Sequence, residues 1–150
     1  MNPSAELAAQ GASGLEQLQT LIDRGAQPPI GELMRFRLTS VADGEAVFEA
    51  EPGLHVYNPI GSVHGGYAAT LLDSACGCAV HTKLSAAQGY TTLELKVAYH
   101  RAMTERTGPV RAVGTVLSFG RRAAFAEAKL TDQAGRLIAS ATSTLLVFER

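Results

Sequence analysis

The sequence predicts an α+β domain in which an antiparallel sheet wraps one long central helix. Three observations carry this. A segment from about His64 to Lys83 is apolar nearly all round, so other structure must surround it. The chain after it alternates in strand fashion almost to its end, broken only by turn residues such as Thr107-Gly108-Pro109 and Asp132-Gln133-Ala134-Gly135. Two more strand-like stretches precede it, joined at Asp43-Gly44, a strong hairpin signal.

In chain order, residues 1–12 are small and polar and read as a frayed end. Ser13 and Glu16 fit a capping box, and Leu15, Leu18, Leu21 and Ile22 recur at helical spacing. Gly25 ends that helix, and Pro28-Pro29 is expected to prevent its return. Strands are expected over Leu33–Val41 and Glu45–Glu51, with Ala46, Phe48 and Ala50 on the buried face. A loop from Leu54 to Val63 leads into the central helix. Tyr90–Tyr99 is expected to put Leu93, Leu95, Val97 and Tyr99 on one face and Thr92, Glu94, Lys96 and Ala98 on the other. Val110–Phe119 is expected to show Val113, Thr115, Leu117 and Phe119 together. Gly120-Arg121-Arg122 interrupts as a turn or bulge, and Ala123–Thr131 and Leu137–Phe148 form a last hairpin. The division is an N-terminal extension with one helix, residues 1–32, and a domain of residues 33–150.

Composition narrows the function. At 150 residues the chain is one domain's length, and a net charge of -1 argues against a dedicated nucleic-acid binder. Only 18% of residues are charged, which fits a surface partly hidden in an oligomer. There is no basic-apolar secretory leader and no run of about 18 apolar residues, so a cytoplasmic protein with no membrane contact is expected. Cys76 and Cys78 lie two apart in a helix and point in different directions, as reduced core cysteines would. His55, His64, His81 and His100 lack metal-site spacing, so no metal and no cofactor is expected.

The chemistry concentrates between Asn58 and Asp73. His64-Gly65-Gly66 opens the central helix, where free backbone N–H groups and the positive end of the helix dipole can polarise a carbonyl or hold an oxyanion. Asp73 is a lone carboxylate in an apolar helix. It reads either as a structural group bonded within the fold or as a base for a water. Gly66, Thr70, Asp73, Ser74 and Gly77 share one face of small and polar groups, where another chain or a ligand could come close. An oxyanion site and a carboxylate suit acyl transfer to water. About 13 Å of helix rise separates His64 from Asp73, so the two groups cannot serve one atom from one helix. A second subunit must supply the complementary Asp73, which predicts a dimer with shared sites. Ser62 sits in no strained Gly-x-Ser-x-Gly elbow and is discounted as a nucleophile.

The combination of Asn58, His64-Gly65-Gly66, Asp73 and Thr91-Thr92-Leu93-Glu94-Leu95-Lys96-Val97 resembles the hot-dog fold acyl-CoA thioesterases. The branch it is most similar to is the PaaI-like, phenylacetic-acid-degradation group of the 4-hydroxybenzoyl-CoA thioesterase superfamily. The resemblance runs from about Leu33 to Phe148. It implies a hot-dog fold and hydrolysis of an aromatic or short- to medium-chain acyl-CoA to free acid and coenzyme A. By the same resemblance, the Gly65 N–H polarises the thioester carbonyl, and Asn58 and His64 orient substrate or the departing thiolate. Asp73 from the neighbouring protomer acts as base or nucleophile. Thr92 positions water, with Thr91 as its competitor. Gly66 belongs with the substrate-binding helix start, and Gly120, Arg121 and Arg122 lie near the coenzyme A phosphates, whose charge suits arginine. A homodimer or a homotetramer built as a dimer of dimers is implied. One departure is Ala98-Tyr99-His100-Arg101-Ala102-Met103, which lacks the Arg-Pro often found at that strand end. A hot-dog hydratase or dehydratase, and a non-catalytic acyl-CoA-binding hot-dog domain, are the alternatives.

Overall fold

In a computed structural model, which describes residues 3–150, six strands form one antiparallel sheet around a central helix. The strands are β1 (Phe36–Ala42), β2 (Glu45–Ala50), β3 (Gln88–Tyr99), β4 (Val110–Phe119), β5 (Ala123–Asp132) and β6 (Leu137–Glu149). Their order across the sheet is β1-β2-β4-β5-β6-β3, so β1 and β3 are its edges. The expected plan of two strands, a helix and four strands is the one observed, and the hot-dog architecture follows from it.

Among the described residues four α-helices accompany the sheet: α1 (Pro3–Ala9), α2 (Gly14–Asp23), α3 (Pro29–Met34) and α4 (Gly65–His81). The single helix expected before residue 33 is an undercount. Residues 3–9 are helical, while Met1 and Asn2 of the expected frayed end lie outside the described residues. The Pro28-Pro29 pair does not bar a helix. Pro29 starts α3, because a first-turn proline gives up an N–H that would be orphaned anyway. The capping box at Ser13 and Glu16 is present as expected.

The central helix is packed all round its sheet-facing side. Leu71, Leu72, Ala75, Cys76, Ala79 and Val80 have no exposed surface. Burial pushes the Cys76 thiol up to about 12, and neither cysteine is bridged. Against α4, β2 presents Ala46, Phe48 and Ala50 as the alternation predicts, although Val47 on the opposite side is also buried.

On β3 and β4 the faces differ from expectation, for one reason. Each strand carries a register shift, between Thr92 and Glu94 on β3 and between Val116 and Ser118 on β4. The extra residue of such a bulge inverts the alternation beyond it. On β3, Thr92 therefore faces α4 together with Leu95, Val97 and Tyr99, while Leu93 is 60% exposed. On β4 the inward residues are Val110, Ala112 and Gly114, while Leu117 at the shift is exposed.

The extension docks on the far end of α4 through polar contacts. Gly14 donates its N–H to Leu84 O at 2.9 Å, and His81 Nε2 meets Gln17 Oε1 at 3.0 Å, both side chains being buried. The His81 ring packs edge-on against Tyr90, with centroids 5.6 Å apart. Burial, with a smaller contribution from Arg150, pushes the His81 imidazole down to about 4. An unfolded histidine titrates near 6.5. The unfolded chain thus binds the extra proton first, and this contribution to stability is full above about pH 6.5 and declines as pH falls towards 4. Urea unfolding at pH 7 and pH 5 should differ by about 2 kcal/mol more in the wild type than in His81→Gln. Equal slopes in the two proteins would refute the assignment.

Candidate active site

The segment before α4 is held by its own polar groups. Asn58 Oδ1 accepts the N–H groups of Ile60 and Ser62, both at 3.1 Å, and its Nδ2 donates to Ser62 Oγ at 3.1 Å. The Asn58 N–H donates to Ser62 O, and Gly61 takes a positive φ of 89° at the tip. Asn58 thus has its amide committed to the loop that delivers His64. Two further ties fix that delivery: His64 N–H donates to Val56 O at 2.8 Å, and Val63 N–H donates to Met103 O at 3.0 Å. The Tyr57 hydroxyl donates to the Glu105 carboxylate and joins the same two loops.

His64 is the N-cap of α4, and its Nδ1 accepts the Gly66 N–H at 2.8 Å. That bond assigns the ring proton of neutral His64 to Nε2. Gly65 N–H makes no hydrogen bond among the described residues. It stands at the positive end of a 17-residue helix, beside a cleft of about 330 Å³ lined by His64, Gly65, Tyr99, His100, Arg101 and Met103. A larger groove of about 470 Å³ lies between α3 and the β1–β2 pair and contains none of the motif residues.

Asp73 is half-buried, and Thr92 donates its hydroxyl to Asp73 Oδ1 at 3.0 Å. Thr91 faces away from the helix and is exposed beside Leu146, its partner on β6. Tyr90, on the same face of β3 as Thr92, lays its ring over Gly77, one helical turn beyond Asp73. A Cβ on Gly77 would stand 3.0 Å from the Tyr90 hydroxyl oxygen. This covers Gly77 and takes it out of the open stripe that Gly66, Thr70 and Asp73 share. The sequence reading missed both Tyr90 and Tyr99. Their signal was the pairing of a strand aromatic with a helix glycine, invisible until the register is known.

Register places the remaining predicted residues. Arg121 and Arg122 are exposed on the β4–β5 turn, and Arg122 O accepts the Val147 N–H. Val147 pairs with Tyr90 and Leu145 with Thr92. The two arginines and Gly120 are therefore at the Asp73–Thr92 end of the sheet, while His64, Gly65 and the cleft are at the Tyr99 end. Within one chain the predicted residues form two groups rather than one, separated by about 12 Å of helix rise from Gly65 to Asp73.

The family model of the thioesterase superfamily matches residues 60–139, which spans the helix start, both groups and four of the six strands in part or whole. The chain belongs to the thioesterase superfamily. It is thus an enzyme of the thioester hydrolase class with a hot-dog fold. It is 28% identical over 123 residues, 82% of this chain and 95% of the relative, to 1,4-dihydroxy-2-naphthoyl-CoA hydrolase of Listeria monocytogenes. Among solved structures it is similar to a mutant of the phenylacetic acid degradation protein PaaI of Thermus thermophilus (27% identity, 79% of this chain and 98% of that one, TM-score 0.72). It is also similar to a hypothetical thioesterase of Streptococcus pneumoniae solved with coenzyme A (25% identity, 81% and 91%, TM-score 0.71). The PaaI-like resemblance read from the motifs agrees with these relatives. No helix among the described residues is long and apolar enough to cross a membrane.

Proposed function

We propose that this thioesterase hydrolyses an acyl-CoA at sites shared between two protomers, each combining the His64-Gly65 end of one α4 with Asp73 and Thr92 of another. The observation that carries the reading is the unpaired N–H of Gly65, a residue that lines a cleft at the positive end of α4. A thioester carbonyl bonded there gains most as it becomes an oxyanion, which is the interaction that lowers the barrier. Asp73 takes a proton from water as the water oxygen adds to the carbonyl carbon. The tetrahedral intermediate then expels the thiolate, which takes the proton held by Asp73, so that coenzyme A and the free acid leave and the carboxylate is restored. The Thr92 hydroxyl hydrogen is engaged in its hydrogen bond to Asp73, so the Thr92 oxygen retains lone pairs to accept a hydrogen bond from the second water proton. His64 Nε2–H is available to the developing thiolate or carbonyl, and Asn58 acts through the loop that presents His64. Arg121 and Arg122, together with Gly120, would meet the coenzyme A phosphates. No metal or cofactor enters this reaction.

The sharing of sites rests on the 12 Å between the groups and on the open stripe of α4 beside the edge strand β3. Aromatic acyl groups are the first class to test, because the Listeria relative is named for a naphthoyl-CoA. Thiol released from phenylacetyl-, benzoyl- and short- to medium-chain acyl-CoAs can be followed with a thiol reagent. Turnover of at least one aromatic thioester is expected. No thiol release from any acyl-CoA, with retained acyl-CoA binding, would replace this reading with that of a binding domain. Water addition to an enoyl-CoA without thiol release would replace it with that of a hydratase.

A further inference from the structure

Tyr99 sits at the last position of β3 and is 56% exposed, yet it makes two specific contacts with Gly65. Its hydroxyl donates to Gly65 O at 2.7 Å. Its ring lies so close over Gly65 that a Cβ there would stand 3.1 Å from ring carbon and hydroxyl oxygen alike. The carbonyl it binds belongs to the peptide unit joining Gly65 to Gly66. The N–H of that same peptide unit donates to His64 Nδ1. One peptide between two glycines, the most freely rotating pair of residues a chain can have, is thus gripped at both ends. Hydrogen bonds at the two ends of one amide polarise and strengthen each other.

We infer that Tyr99 is a positioning residue, which with His64 clamps the Gly65–Gly66 peptide and so aims the free Gly65 N–H into the cleft. The inference rests on the proposed role of Gly65, and it concerns rate rather than affinity. A donor that must meet an oxyanion within a few tenths of an ångström loses effect when its backbone can turn. Tyr99 does not touch the reacting atoms in this account. Its ring also walls the cleft, so removing the hydroxyl alone is the informative change.

Tyr99→Phe keeps the ring and deletes the bond. Its kcat should fall about tenfold, the scale of one neutral hydrogen bond, while KM stays within about twofold and the melting temperature is little changed. A double-mutant cycle with His64→Ala separates a clamp from general support, because two groups acting on one peptide are not additive. In the His64→Ala background the Tyr99→Phe change should cost much less than it does alone. An unchanged kcat in Tyr99→Phe, or full additivity, overturns the clamp. Amide exchange at Gly66, followed by NMR, needs no substrate. It should accelerate in Tyr99→Phe whether or not the enzyme turns over an acyl-CoA, so failure of the clamp and failure of the thioesterase reading are distinguishable. Unchanged Gly66 exchange also overturns the clamp.

Discussion

Asp73→Asn should lower kcat for thioester hydrolysis by about a thousandfold, within the range that loss of a general base produces, and leave the fold intact. The substitution preserves shape and can still accept the Thr92 hydroxyl bond, so thermal melting should move by only a few degrees. Full activity in this variant would remove Asp73 from the chemistry. The arrangement of half-sites adds a second readout. Asp73→Asn and His64→Ala proteins, each left with only a small residual activity, should regain activity when unfolded together and refolded as a mixture. Random pairing into dimers makes half of the molecules mixed, and each mixed dimer holds one intact site, so about a quarter of wild-type activity should return. A mixture as inactive as its components would mean that each chain builds its own site.

The other large effect is on stability. Gly114 lies on β4 where the sheet crosses under α4, and a Cβ at that position would stand 2.1 Å from the carbonyl oxygen of Ala75. The obstacle is helix backbone, which cannot move aside as a side chain can. Gly114→Val should therefore separate helix and sheet in the middle of the core. A loss of about 3 kcal/mol or more is expected, which for a chain of this size lowers the melting temperature by about 10 °C. Differential scanning calorimetry checks it. A melting temperature within two degrees of wild type would show that α4 can lift from β4 without penalty.

The elements that were legible in the sequence are those whose signal is local. The capping box at Ser13, the Asp43-Gly44 hairpin and the apolar length of α4 each declare themselves within a few residues. The His64-Gly65-Gly66 start of α4 was legible for the same reason, because a helix N-terminus is a local chemical object. The facing of Thr92 was not, since a bulge at Leu93 is a property of two strands in register and leaves no mark in one of them. Whether Thr91 or Thr92 meets Asp73 depends on that register alone. α3 was hidden by two prolines that normally close a helix and here open one. Tyr90 and Tyr99 looked like ordinary strand aromatics. Their meaning lies in Gly77 and Gly65, which are distant in sequence, and only the packing of β3 on α4 joins them.

The bulge at Leu93 has an arithmetical consequence. Thr92 meets Asp73 and Tyr99 meets Gly65, and both partners are on the same helix. Seven positions separate the two strand residues, an odd number, so a regular strand would turn one of them away from α4. One inserted residue makes the parity even and lets a single strand brace both ends of the helix. Deleting Leu93 would not merely shorten β3 by one step. It would oblige the strand to choose between its two glycine- and carboxylate-bearing neighbours, so the length of this strand is as constrained as the identity of any residue on it.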